Sequence, residues 1–142
     1  MSDNRAGIAA LHTVAKAIRA LARVPSQAGA PAAKSLGELI QREFDAGIDP
    51  YGDAWAPLLD STLATGRTPP PLTDSGDLRA VTVEPTSGAG ISITLGAPYG
   101  AMHQTGTRHM QARPILPVHG LPDTWRRAIA DEVDAAFERA AP

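Results

Sequence analysis

The chain has 142 residues, of which 13 are basic and 15 acidic, for a net charge of -2 with its four histidines neutral. This balance argues against a nucleic-acid binder built on a dense basic surface. It contains no cysteine, which excludes disulfide scaffolds, thiolate zinc sites and cysteine nucleophiles. The length fits one domain. Its 35 large apolar residues beside 26 alanines make a thin core, which favours extra burial through oligomer contacts.

Residues 5 to 24 read as a helix, because Ile8, Leu11, Val14, Ile18 and Leu21 recur every three or four positions on one face. Arg5, Lys16, Arg19 and Arg23 occupy the remainder, and Pro25 argues against simple continuation. A second helix is expected from about Pro31 or Ser35 to Ala46. Ser35-Leu36-Gly37-Glu38 has capping-box spacing, Leu36, Leu39, Ile40 and Phe44 form its stripe, and Gly47 is its stop. An antiparallel helical hairpin is the simplest arrangement. Asp49-Pro50-Tyr51-Gly52-Asp53 is a turn sequence, and Trp55, Pro57, Leu58 and Leu59 can anchor the adjoining loop to the core.

Residues 64 to 76, with Pro69-Pro70-Pro71 and no periodic apolar set, read as an exposed extended loop, and 66–71 as lacking core residues. Val81 and Val83, then Ile91, Ile93 and Leu95, alternate with polar residues and predict two half-buried strands joined by a loose loop over 85–90. Residues 96 to 112 predict turns and one short helical piece. Pro114-Ile115-Leu116-Pro117-Val118 is expected as an edge strand. A last amphipathic helix is expected from Pro122 to Ala140, with Trp125, Ile129, Val133 and Phe137 on its inner face. The fold class is therefore α+β: an N-terminal helical hairpin, a small antiparallel sheet with long loops, and a C-terminal amphipathic helix, in a single domain over 1–142.

Charge is unevenly distributed. Residues 1–35 carry a net +4, residues 36–84 a net -6, and residues 85–142 balance. Opposite-sign regions can meet within the fold or between subunits. No apolar run approaches the roughly 20 residues of a spanning helix. The N-terminal residues lack a signal-peptide apolar block. The expected setting is a reducing cytoplasm.

Three histidines, His103, His109 and His119, lie in a stretch without acidic residues, and a three-His zinc site is conceivable. No H-E-x-x-H helix motif accompanies them, so ordinary loop hydrogen bonding explains them better. Asp74-Ser75-Gly76-Asp77 contains two carboxylates and a serine but no nucleophile elbow. Asp, Ser and Gly are turn and cap residues, and a turn before the strand accounts for them. A small metal-dependent or hydrolytic enzyme using His103, His109 and Asp74 or Asp77 remains the alternative reading.

Four signatures carry a resemblance. They are Phe44 with Asp49-Pro50-Tyr51-Gly52-Asp53-Ala54-Trp55-Ala56-Pro57-Leu58; Leu72-Thr73-Asp74-Ser75-Gly76-Asp77-Leu78; Gly96-Ala97-Pro98-Tyr99-Gly100-Ala101-Met102-His103-Gln104-Thr105-Gly106; and Ala112-Arg113-Pro114-Ile115-Leu116. In this order and spacing they resemble the phage virion morphogenesis family, the tail completion proteins of Mu-like and related tailed phages. Gly100 stands where that family usually has Ala, and Ile115 where it often has an aromatic residue.

The resemblance implies a non-enzymatic virion protein, without cofactor or metal, that completes or terminates the tail and helps join it to the head. A neck component on the head side of the same junction is a neighbouring possibility. Its implied partners are itself, in a homo-oligomeric ring with a hexamer expected on the tail, and the tail tube and head–tail connector proteins. No membrane and no sequence-specific nucleic acid are implied. The implied location is the tail end or neck of the virion, after assembly in the bacterial host cytoplasm. The family-motif positions, with structural or interface roles, are Asp49, Pro50, Gly52, Trp55, Gly76, Tyr99, His103, Gln104, Gly106, Arg113 and Pro114. Gly76 and Gly106 are expected in conformations closed to other residues. Trp55 and Pro57 are expected to pin the loop to the core. Arg113 is expected to present its guanidinium outward or to a neighbour.

Overall fold

The structure, a computed structural model, describes residues 2–66, 71–72, 78–87, 90–97 and 100–140, and of 2–4, 61 and 63 the backbone alone. Its elements are α1 (Ser2–Ala22), α2 (Val24–Ala46), α3 (Asp60–Leu63), β1 (Thr82–Pro85), β2 (Ile91–Thr94), α4 (Gly100–Thr105) and α5 (Asp123–Ala140). The architecture is α+β. A long, bent, hairpin-like N-terminal helix leads into a two-stranded antiparallel sheet, and a C-terminal helix closes the chain.

The second helix starts at Val24 rather than at Pro31 or Ser35, and Arg23 alone separates it from α1. Pro25 does not break the chain here. It falls in the first turn of α2, where the missing N–H has no intrahelical partner to lose. Ser35 consequently sits in mid-helix instead of capping, and its Oγ donates to Glu132 Oε1 of α5 at 2.9 Å. Gly47 ends α2 at φ 68, with its N–H turned back to the carbonyls of Glu43 and Phe44.

α2 is the spine on which α5 and the β-hairpin pack. The hairpin pairs Val83 with Ile93 and Pro85 with Ile91, which confirms the period-two reading. Gly29 permits the close approach, since a Cβ there would stand 3.1 Å from Pro85 Cβ. Leu36, Ile40, Phe44, Trp55, Leu78, Ala97, Ile115 and Trp125 form the main core, and Val24, Ala28 and Ala136 a smaller cluster.

Three further expectations are corrected. Residues 114–118 are not a strand, because Pro114 and Pro117 supply no donors and a glutamine side chain takes the backbone groups between them. Within 66–71 Pro71 is buried, and in the wider loop Leu72 is not exposed but packs against the main core with φ at 68. Between the anchoring residues and that loop, residues 60–63 make a helical turn. On α5, Trp125 and Ala136 are buried, whereas Val133 and Phe137 are 38 and 52 % exposed.

Candidate functional site

The motif residues converge on one loop cluster at the C-terminal end of α2. Asp49 organises the first loop. Its Oδ1 accepts the N–H groups of Tyr51 and Asp53, both at 2.9 Å, and its own N–H donates to Asp53 O at 2.8 Å. Gly52 takes φ 93 at the tip, and Pro50 is fully buried. The ring of Tyr51 reaches across to the segment before α5. Its hydroxyl accepts the His119 N–H at 2.8 Å, and its single proton faces the carbonyls of His119 and Gly120 at 2.6 and 2.7 Å.

Trp55 joins this loop to the core and to the fourth motif. Its ring meets Phe44 edge-on with centroids 5.4 Å apart, and its Nε1–H donates to Pro114 O at 2.8 Å. Arg113 ties the same two segments in the opposite sense. Its Nε donates to Ala56 O at 2.7 Å and its Nη2 to Pro57 O at 2.9 Å. Of the two expected placements, outward or to a neighbour, the guanidinium takes neither solvent nor another subunit here but an adjacent segment of its own chain, where two consecutive carbonyls match its planar fork. Burial lowers the pKa of Arg113.

Gln104 does what a neighbouring strand would have done. Its Oε1 accepts Ile115 N–H and Leu116 N–H, each at 2.8 Å, and its Nε2 donates to Leu116 O at 2.7 Å. His103 is half-buried beside it, and its carbonyl accepts the Arg113 N–H at 2.7 Å. Burial, and then the Arg113 cation, hold the His103 pKa below the usual imidazole range. Gly106 stands at φ 76, and a Cβ there would lie 2.8 Å from Ala112 N and 2.9 Å from Met110 O.

Beneath the cluster lies Glu43, which none of the four signatures includes. It is 6 % exposed, and its Oε1 accepts Trp125 Nε1–H at 2.8 Å. Its pKa is raised from 4.5 to about 7, first by burial and also by the Asp49 carboxylate, against the opposing Trp125 bond and Arg42. The helical period that groups Leu36, Ile40 and Phe44 also places Glu43 inside, so the signal was present in the spacing.

Asp49, Pro50, Gly52, Trp55, His103, Gln104, Gly106, Arg113 and Pro114 therefore meet in one place. Gly76 and Tyr99 lie outside the described residues, as does the Asp74–Asp77 turn. His109 and His119 are exposed, and among the described residues no three His, Cys, Asp or Glu side chains are grouped to hold a metal. Asp49, Tyr51, Trp55, Gln104 and Arg113 hydrogen-bond to the chain's own backbone, which fixes the shape of four loops with little regular structure between them. A sequence model of the phage virion morphogenesis family matches residues 8–138. Comparison with curated proteins finds no match, and neither does comparison with solved structures.

Proposed function

We propose that this chain, which belongs to the phage virion morphogenesis family over nearly its whole length, is the subunit that completes the tail and readies it for joining to the head. Family membership carries the coarser statement, that it is a structural, virion-associated morphogenesis protein of a phage. The loop cluster supports the finer one. Its polar side chains bond to the chain's own backbone and rigidify the loops, as suits a surface that must match another protein's end face.

In this reading the subunits form a ring, a hexamer on the tail, that matches the rotational symmetry of the tube end and stops its growth. The tail tube and the head–tail connector are the partners, and binding is the whole of the mechanism. The test is a nonsense mutation in the gene, with lysates examined for particles. The reading expects filled heads beside free tails that fail to join, and joining restored by adding purified protein. Normal virion yield without the protein would overturn it.

A further inference from the structure

The first helix carries a face that its own chain leaves open. Ile8, Leu11, Val14 and Ile18 are 49, 70, 54 and 60 % exposed, and their spacing aligns them in one stripe. Such a contiguous row marks a contact surface rather than scattered surface apolar residues. Beside it runs a second stripe, Arg5, His12, Lys16 and Arg19, all exposed. At about 100° per residue these four fall within roughly 60° of one another, displaced from the apolar stripe in the sense of increasing residue angle.

α5 presents the complement. Val133 and Phe137 are its exposed large apolar side chains. The exposed carboxylates Asp131, Asp134 and Glu138 flank that pair, displaced in the same rotational sense. The chain's own α5 leaves the stripe uncovered, since all four of its residues stay about half exposed or more. α1 and α5 meet only sparsely, where Ala20 and Arg23 share the lining of one cleft with Arg139 and Ala140. Leu11 lies about 15 Å further along the helix axis from that end.

We propose that α1 is a docking arm that packs its Ile8–Ile18 stripe on Val133 and Phe137 of a second copy of this chain, with its basic flank against that copy's Asp131, Asp134 and Glu138. The direction follows from handedness. When two right-handed helices face each other through their apolar stripes, flanks displaced in the same rotational sense come to the same side only if the helices run antiparallel. In the antiparallel register that sets Leu11 against Phe137, Ile18 lies towards Val133, and Lys16 and Arg19 come level with Asp131 and Asp134. The contact is heterologous, so it propagates from copy to copy and closes into a ring when the rotation per subunit divides the circle. This deepens the ring reading above and rests on its self-association, but it does not depend on the tail.

The absence of native cysteine makes the test clean. Full-length Leu11→Cys and Phe137→Cys proteins are purified, mixed at high concentration and oxidised. The pairing expects a mixed disulfide dimer formed at least several-fold faster than from either protein alone, and faster than from Leu11→Cys with Val133→Cys. In a second arm, Lys16→Glu with Arg19→Glu in the arm protein suppresses the cross-link. Asp131→Lys with Asp134→Lys in its partner restores it. Circular dichroism checks that each variant is folded.

Leu11→Cys coupling mainly to itself would overturn the proposal, and so would coupling at the rate of an exposed control such as Ser87→Cys, or a charge exchange that restores nothing. None of these results bears on whether tails need the protein, which the nonsense mutation reads separately.

Discussion

Raising the pH from 5 to 8 weakens this fold through Glu43, and Glu43→Gln abolishes that part of the loss. The carboxyl is 6 % exposed against Trp125, and its pKa rises from 4.5 in the open chain to about 7 in the fold. Between those values the folded state holds a proton that the unfolded state has released, so stability falls as pH rises. Below about 4.5 both states are protonated and the group is neutral to stability. Above about 7 its full penalty is present. At 1.36 kcal/mol for each pH unit of separation, the penalty is about 3 kcal/mol. For a chain of this length that corresponds to a melting-temperature difference of roughly 6–12 °C.

Gln keeps an oxygen that can accept the Trp125 Nε1–H and never ionises. Urea denaturation followed by tryptophan fluorescence, for both proteins from pH 5 to pH 8, gives the difference directly. The two curves should lie closest at pH 5, about 1 kcal/mol apart, and separate with pH, Gln being more stable by up to about 3 kcal/mol at pH 8. Carboxylates common to both proteins cancel in the difference. A gap independent of pH would refute the reasoning, because it would mean that Glu43 titrates alike in the folded and unfolded chains.

Gly106→Val should cost about 1–3 kcal/mol, since φ 76 is closed to a β-branched residue and its Cβ would press on Ala112 N; His109→Ala, at an exposed turn, should change thermal stability by less than about 0.5 kcal/mol. Gln104→Leu strands the N–H groups of Ile115 and Leu116 and should cost about 1–3 kcal/mol in the same assay, whereas an unchanged midpoint would show that water replaces the amide. Arg113→Met removes a cation from beside His103, so the imidazole resonances of His103 should titrate at a higher pH in a proton NMR series. A strong chelator should leave the melting temperature unchanged; a fall of several degrees would revive the histidine-metal alternative.

Features governed by neighbours in sequence were legible. Gly47 and Gly106 take the positive φ that favours glycine, and the alternation of Val83 and Ile93 survives as a cross-strand pair. Features governed by rotation or by distant partners were not. Trp125, Ile129, Val133 and Phe137 repeat every four residues, but a four-residue step overshoots a helical turn by about 40°. Three such steps carry Phe137 about 120° away from Trp125, and Ala136 takes the inward place. Pro25 reads as a stop until the chain is seen to bend at Arg23. The donor-poor run around Pro114 and Pro117 reads as an edge strand, because its partner is a side chain, Gln104, rather than another strand.

The most direct test of the tail-completion account is electron cryo-microscopy of purified phage tails, with and without this protein. The account predicts a ring of its subunits, related by the rotational symmetry of the tube, at the head-proximal end of tails that carry it, and an open tube end on tails that lack it. A single copy per tail, or no density for the protein anywhere on tail or neck, would contradict it.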